Sequence, residues 1–115
     1  MSKPPSTSEP PSEKLCFRTT VHGTLFNGRD RHLTTMQSDD PLLLIPDPPI
    51  EPEPGVWVHL PTGDLLGHLP PEIAAWLAPR IYRGARTRAR VLRVHGPETP
   101  SWRRLLIEVT CEALS

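Results

Sequence analysis

The sequence predicts a mainly β fold, a small SH3-like or OB-like β-barrel of about six strands with one helix between the fourth and fifth strands. Three observations predict it. Short runs of period-two alternation recur between turn signals, one segment alone carries helical spacing, and no alternating βαβ rhythm is present. At 115 residues the chain has apolar surface for a single core, so one domain is expected.

Residues 1–13 carry Pro4, Pro5, Pro10 and Pro11 among serines and a threonine, and nothing there can be buried against the entropy of ordering. A disordered arm is expected over 1–13, the barrel over 14–112 and a tail over 113–115. From Lys14 the texture changes. Phe17, Thr19 and Val21 alternate with Arg18 and Thr20, as in a half-buried first strand. His22 and Gly23, then Asn27 and Gly28, are turn formers around Leu25 and Phe26, so two quick bends between short curved strands are expected.

Leu42 to Ile45 fits a strand, and the stretch from Pro46 to Gly55 is a loop stiffened by its prolines. Val56, Val58 and Leu60 then share one face of a strand, with Trp57 and His59 on the other. Pro61 to Asp64 makes a hairpin turn, and Leu65 to Leu69 returns. Pro70, Pro71 and Glu72 suit the first turn of a helix, whose apolar stripe is Ile73, Trp76, Leu77 and Ile81. Pro79 predicts a kink or a fresh turn, and Gly84 the end. Ala85 to Val94 and Trp102 to Thr110 read as the last two strands, joined through Gly96, Pro97 and Pro100.

Basic and acidic residues balance at 13 each, so no net field draws the whole chain to nucleic acid or to an anionic membrane. The segments are unequal. Pro41 to Asp64 holds four acids and no Lys or Arg, whereas Leu65 to Arg104 holds eight arginines against two acids. Arg86, Arg88 and Arg90 project from one strand face, with Arg93, Arg103 and Arg104 near the adjoining turn. That stripe either contacts phosphates or is a solvated face paired with the acidic loop. Phe26, Trp57 and Trp102, near turns and outer faces, either stack on exposed bases or pack at the edge of the core; Trp76 reads as core.

Chemistry of other kinds finds little footing. His22, His32, His59, His68 and His95 lack the spacing that sets two metal ligands on one helix face, and there is no G-x-S-x-G or Walker sequence. Glu51 and Glu53 lie on a proline-rich loop without a hydrophobic pocket to raise one of their pKa values. No enzyme, cofactor or metal site is expected. Cys16 and Cys111 form neither a disulfide framework nor a C-x-x-C motif; both thiols read as unbridged, or as a pair if the first and last strands are neighbours. Neither a signal-peptide core nor a run of about 18 apolar residues occurs, so a soluble cytoplasmic protein is expected.

The order of motifs resembles the HIRAN domain family, small barrels that occur alone in bacteria or fused to helicase-like chromatin-remodelling ATPases. Val21, Gly23, Phe26 and Arg29 carry the resemblance, followed by Leu42 to Pro46 with Asp47 and Pro48, and by Val56 to Val58. Its most specific block runs from Gly63 through Gly67, His68, Leu69, Glu72, Ala75 and Leu77 to Gly84, Val91 and Val94, and the whole covers Leu15 to Thr110.

The resemblance implies a non-catalytic module that recognises single-stranded DNA or a free 3′ DNA end. It places Phe26 at a base-stacking position, Arg29 at a phosphate contact, Gly67 and His68 along a wall beside the terminal nucleotide, and Trp102 at the closing aromatic; Arg31 is a further candidate for binding nucleic acid. Where the family has an Asn-Pro-Tyr-Asp type segment this chain reads Pro49 to Pro54, so Glu51 or Glu53 stands in for the aspartate, and Pro71 sits where relatives carry a basic residue. Single-stranded DNA or DNA ends, and a helicase or nuclease partner in DNA repair or replication, are the expected partners; no membrane is. The alternative is a protein-interaction barrel that uses its acidic proline-rich loop and N-terminal arm.

Overall fold

The computed structural model describes residues 14–112, so the expected arm over 1–13 and tail over 113–115 lie outside the described residues. Strands β1 (Lys14–Thr20), β2 (Pro41–Pro46), β3 (Val56–His59), β4 (Leu65–His68), β5 (Arg86–Val94) and β6 (Leu105–Glu112) surround one helix, α1 (Pro71–Tyr82). They form a six-stranded antiparallel sheet in the order β1-β6-β5-β2-β3-β4. The mainly β fold, its strand number and the helix between β4 and β5 are as the sequence predicts.

Alternation drives the curl. On β6, Leu105, Ile107, Val109 and Cys111 are buried while the residues between them are half-exposed. Val21, Val56, Val58, Leu66 and Val91 fill the same interior. Each such aliphatic side chain contributes about 1.5–3 kcal/mol relative to exposure. From the side, α1 adds Ala74, Leu77 and Ala78 to this core, with Ile73, Trp76 and Ile81 packed partly against it. Trp76 is thus half-buried rather than fully enclosed: its ring meets Phe17 edge-on at 5.8 Å, and the Arg80 guanidinium lies 4.2 Å from its centroid.

The two outermost strands of the sheet meet where β4 ends and just beyond the end of β1. His22 donates its N–H to the His68 carbonyl at 2.8 Å, and His68 donates to the His22 carbonyl at 2.9 Å. This pair curls β1 round onto β4. It demands a residue without a side chain beside it, because a Cβ on Gly67 would stand 2.2 Å from the His22 carbonyl oxygen and 2.8 Å from Val21 Cγ1.

Several local expectations are corrected. The bends after Gly23 lead into a 3-10 helix, Phe26–Thr35, interrupted by left-handed backbone at Asn27 and Gly28, rather than into short curved strands. Leu33 anchors it in the core. Helix α1 runs through Pro79 as one piece: the carbonyl that loses its partner belongs to Ala75, which is exposed to water, and the helix ends three residues later. Trp102 lies in a short 3-10 turn, Ser101–Arg103, before β6 rather than in the strand. Cys16 and Cys111 do sit on neighbouring strands, but Cys16 is opposite Thr110 and Leu15 opposite Cys111. One residue of offset puts the thiols on opposite faces, Cys16 exposed and Cys111 buried, and they are not bridged. No described helix is long and apolar enough to cross a membrane.

Gly67→Ala should destabilise the domain by about 3 kcal/mol, because the added carbon overlaps a backbone oxygen that cannot rotate away. Urea denaturation measures it, and a loss under about 0.5 kcal/mol would contradict the tight closure.

Candidate functional site

The closure brings two polar assemblies side by side, one on the proline-rich loop and one on the turn after β1. On the loop, Asp47 is the organiser. Its carboxylate accepts the Gly55 N–H at 2.8 Å and the Trp57 indole N–H at 2.7 Å, and its own N–H donates to the Gly55 carbonyl at 2.8 Å. Tyr82, from the last turn of α1, donates its hydroxyl to the Asp47 carbonyl. The base of the loop is therefore tied while its tip, with Ile50 at 82% exposure, projects into solvent. Held this way, Trp57 turns its ring to within 5.6 Å of the His68 ring.

On the other side, Gly23 takes a positive φ of 77°, which a side chain would strain, and a Cβ there would come within 3.3 Å of the His68 imidazole. The Gly23 carbonyl accepts the Phe26 N–H at 3.2 Å and Arg29 Nη1 at 3.1 Å. The guanidinium of Arg29 in turn lies 5.2 Å from the centre of the Phe26 ring, which is 64% exposed. His22 completes the group, with its ring 5.9 Å from that of His68. Phe26, Arg29, His68 and Trp57 thus follow one another across a continuous surface.

Electrostatics inside the group favour a neutral imidazole. Burial pushes the His68 pKa below the ordinary histidine value, and the neighbouring His22 and Arg29 push it further in the same direction. A proton on His68 would set a second cation beside Arg29 in a crowded corner unless an anion arrived with it. Beside His68 opens a cleft of about 750 Å³ between the loop and the start of α1, lined by Trp57, Glu53, Gly55, Glu72 and Ala75 among others. Its walls offer carboxylates, an indole and an imidazole but no Lys or Arg, so phosphate is favoured beside Arg29 and not within the cleft.

The predicted residues fall into three places. Phe26, Arg29 and His68 come together, Gly67 is buried beneath the His22 backbone rather than lining a wall, and Glu53 lines the adjoining cleft while Glu51 stays on the exposed loop outside it. Trp102 is 52% exposed on a turn joined to the Gly23–Phe26 segment, where Thr24 donates its hydroxyl to the Ser101 carbonyl at 3.3 Å. Arg31 turns back onto the Gly28 carbonyl at 2.9 Å. Arg86, Arg88 and Arg90 do share an exposed face, but it belongs to β5, which β2 and β3 separate from β4 in the sheet. Sequence reasoning passed over His22 and the part played by Asp47. An acid between two prolines ahead of a Gly-x-Trp is the trace that Asp47 leaves.

Among the described residues no cluster of His, Cys, Asp and Glu is suited to a metal ion. No family model matches the chain, and neither does any curated protein or solved structure. Geometry alone therefore carries the functional argument.

Asp47→Ala leaves the Gly55 amide and the Trp57 indole without their acceptor, and should cost about 2 kcal/mol in a denaturation experiment. Tryptophan emission should shift as Trp57 loses its fixed position. Unchanged stability and emission would contradict the role given to this carboxylate.

Proposed function

We propose that this domain is a non-catalytic nucleic-acid-binding module that takes single-stranded DNA, or a free 3′ DNA end, at the Phe26–Arg29–His68 surface, as members of the HIRAN family do. The observation that carries the proposal is the exposed Phe26 ring with the Arg29 guanidinium beside it, set next to His68 by the backbone pair of His22 and His68. Phe26 stacks a base, Arg29 contacts a phosphate, and His68 forms a wall against which the last nucleotide rests. Glu53, in the cleft beyond, accepts a hydrogen bond from a terminal hydroxyl and repels a terminal phosphate. Trp102 borders the same turn and closes over the strand. The barrel then positions the DNA for a partner with helicase or nuclease activity in repair or replication.

A second reading is favoured by Ile50, whose exposure at the tip of a tied, acidic loop suits a protein partner. Ile50→Asp would abolish such binding and leave DNA affinity unchanged.

Fluorescence anisotropy with short oligonucleotides tests the proposal. Phe26→Ala should weaken binding by about 1–3 kcal/mol. Arg29→Ala should reduce the dependence of log affinity on log salt by about 0.7. A 3′-phosphorylated strand should bind less well than one with a free hydroxyl. Because His68 holds its proton weakly in the free protein, a bound phosphate raises its pKa, and affinity should rise as pH falls through and below the ordinary histidine range. His68→Gln should remove that rise. Absence of salt-dependent binding at low ionic strength would overturn the proposal.

A further inference from the structure

We propose that the opening between β2 and β5 receives an extended acidic peptide of a partner protein by strand addition, at a surface separate from the Phe26–His68 site. The ladder between these strands is short: only Pro41 with Arg90 and Leu42 with Ala89 pair. Beyond that point Leu43 to Pro46 pair with β3 alone, and Arg86 to Arg88 with β6 alone. The direction of the unpaired groups follows from the bonds next to them. Val91 donates to the Asp40 carbonyl at 2.9 Å and accepts from Asp39 at 2.7 Å, so its N–H and C=O point toward β2. Antiparallel alternation then points those of Ala89 and Thr87 the same way, and those of Leu42 and Leu44 toward β5. Leu42 and Ala89 find one another, whereas Leu44 and Thr87 face across the opening with no ladder partner.

Side chains around the opening specify what fits. Leu43 and Ile45, each 45% exposed, line the β2 side of the outer face. Arg86 and Arg88 project on the β5 side and, among the described residues, make no hydrogen bond or ion pair. Arg90, the next arginine along, is already engaged by Asp39 and by Glu108, whose carboxyl it holds below the usual range. A groove of about 460 Å³ runs there between Pro41–Leu43 and Thr87–Arg90. An extended segment with acids on its outward face would pair with Arg86 and Arg88, cover Leu43 and Ile45, and complete the bonds of Leu44 and Thr87.

Nucleic acid fits less well. The groove lining holds no aromatic ring for a base to stack on, and a phosphodiester backbone carries no donor for the Leu44 and Thr87 carbonyls. A second copy of this chain fits no better through its edge strand β1, whose outward face carries Lys14 and Arg18 and would meet like charge.

The test uses the full chain and a short capped peptide of alternating Glu and Val, followed residue by residue through amide hydrogen exchange. Binding should protect the Leu44 and Thr87 amides. Arg88→Glu should weaken it about tenfold or more. Leu43→Lys, a second surface variant, should weaken it as well, and a peptide N-methylated at alternate residues should not bind. The proposal is overturned if those amides stay unprotected at saturating peptide, if the N-methylated peptide binds equally, or if Arg88→Glu changes nothing. An oligonucleotide that protects the same two amides would also overturn it, by making the groove a nucleic-acid site.

Discussion

Two backbone hydrogen bonds between His22 and His68 hold the molecule in the shape its surface requires. They join the first strand to the fourth, and they leave no room for a side chain at Gly67. Nothing else among the described residues links the turn after β1 so directly to the β3–β4 hairpin. The interior supplies most of the stability through Leu66, Leu105, Ile107 and Val109, but burial is non-directional and does not by itself dictate which loops become neighbours. That choice is made by the paired amides, and the proximity of Phe26, Arg29, His68 and Trp57 follows from it.

Charge is divided in a way that the zero total conceals. Asp47 and Glu53 of the proline-rich loop border a cleft without a cation, Arg29 lies with Phe26 on the turn after β1, and the arginines of β5 occupy another face. A single extended polyanion lying along all of them would have to cross several strands. Two separate surfaces, one suited to an unpaired nucleotide and one to an acidic strand, account for the same arginines with less strain on either ligand.

Much of the fold was legible because it rests on periodicity. Leu105, Ile107 and Val109 alternate with polar residues, α1 repeats its apolar positions at helical spacing, and Pro61 to Asp64 is turn chemistry of an ordinary kind. What was not legible rests on tertiary contacts or on register. The 3-10 helix at Phe26–Thr35 depends on Leu33 reaching the core and on arginines returning to glycine carbonyls. The faces of Cys16 and Cys111 depend on a single-residue offset between β1 and β6. Pro79 breaks nothing because water can serve the carbonyl it orphans. In the candidate site, Phe26, Arg29 and His68 were visible by their order along the chain, but His22 had no partner until the edges met, and Asp47 looked like loop composition until its two acceptor bonds were seen.

The account stands or falls on whether the turn after β1 and the β3–β4 hairpin act as one binding surface. A double-mutant cycle on single-stranded DNA affinity, using Phe26→Ala, His68→Ala and the pair together, measures that directly. Residues that hold adjacent parts of one nucleotide should couple by roughly 0.5–3 kcal/mol. Losses that add within about 0.3–0.5 kcal/mol would mean that the two residues act independently, and would contradict the shared site.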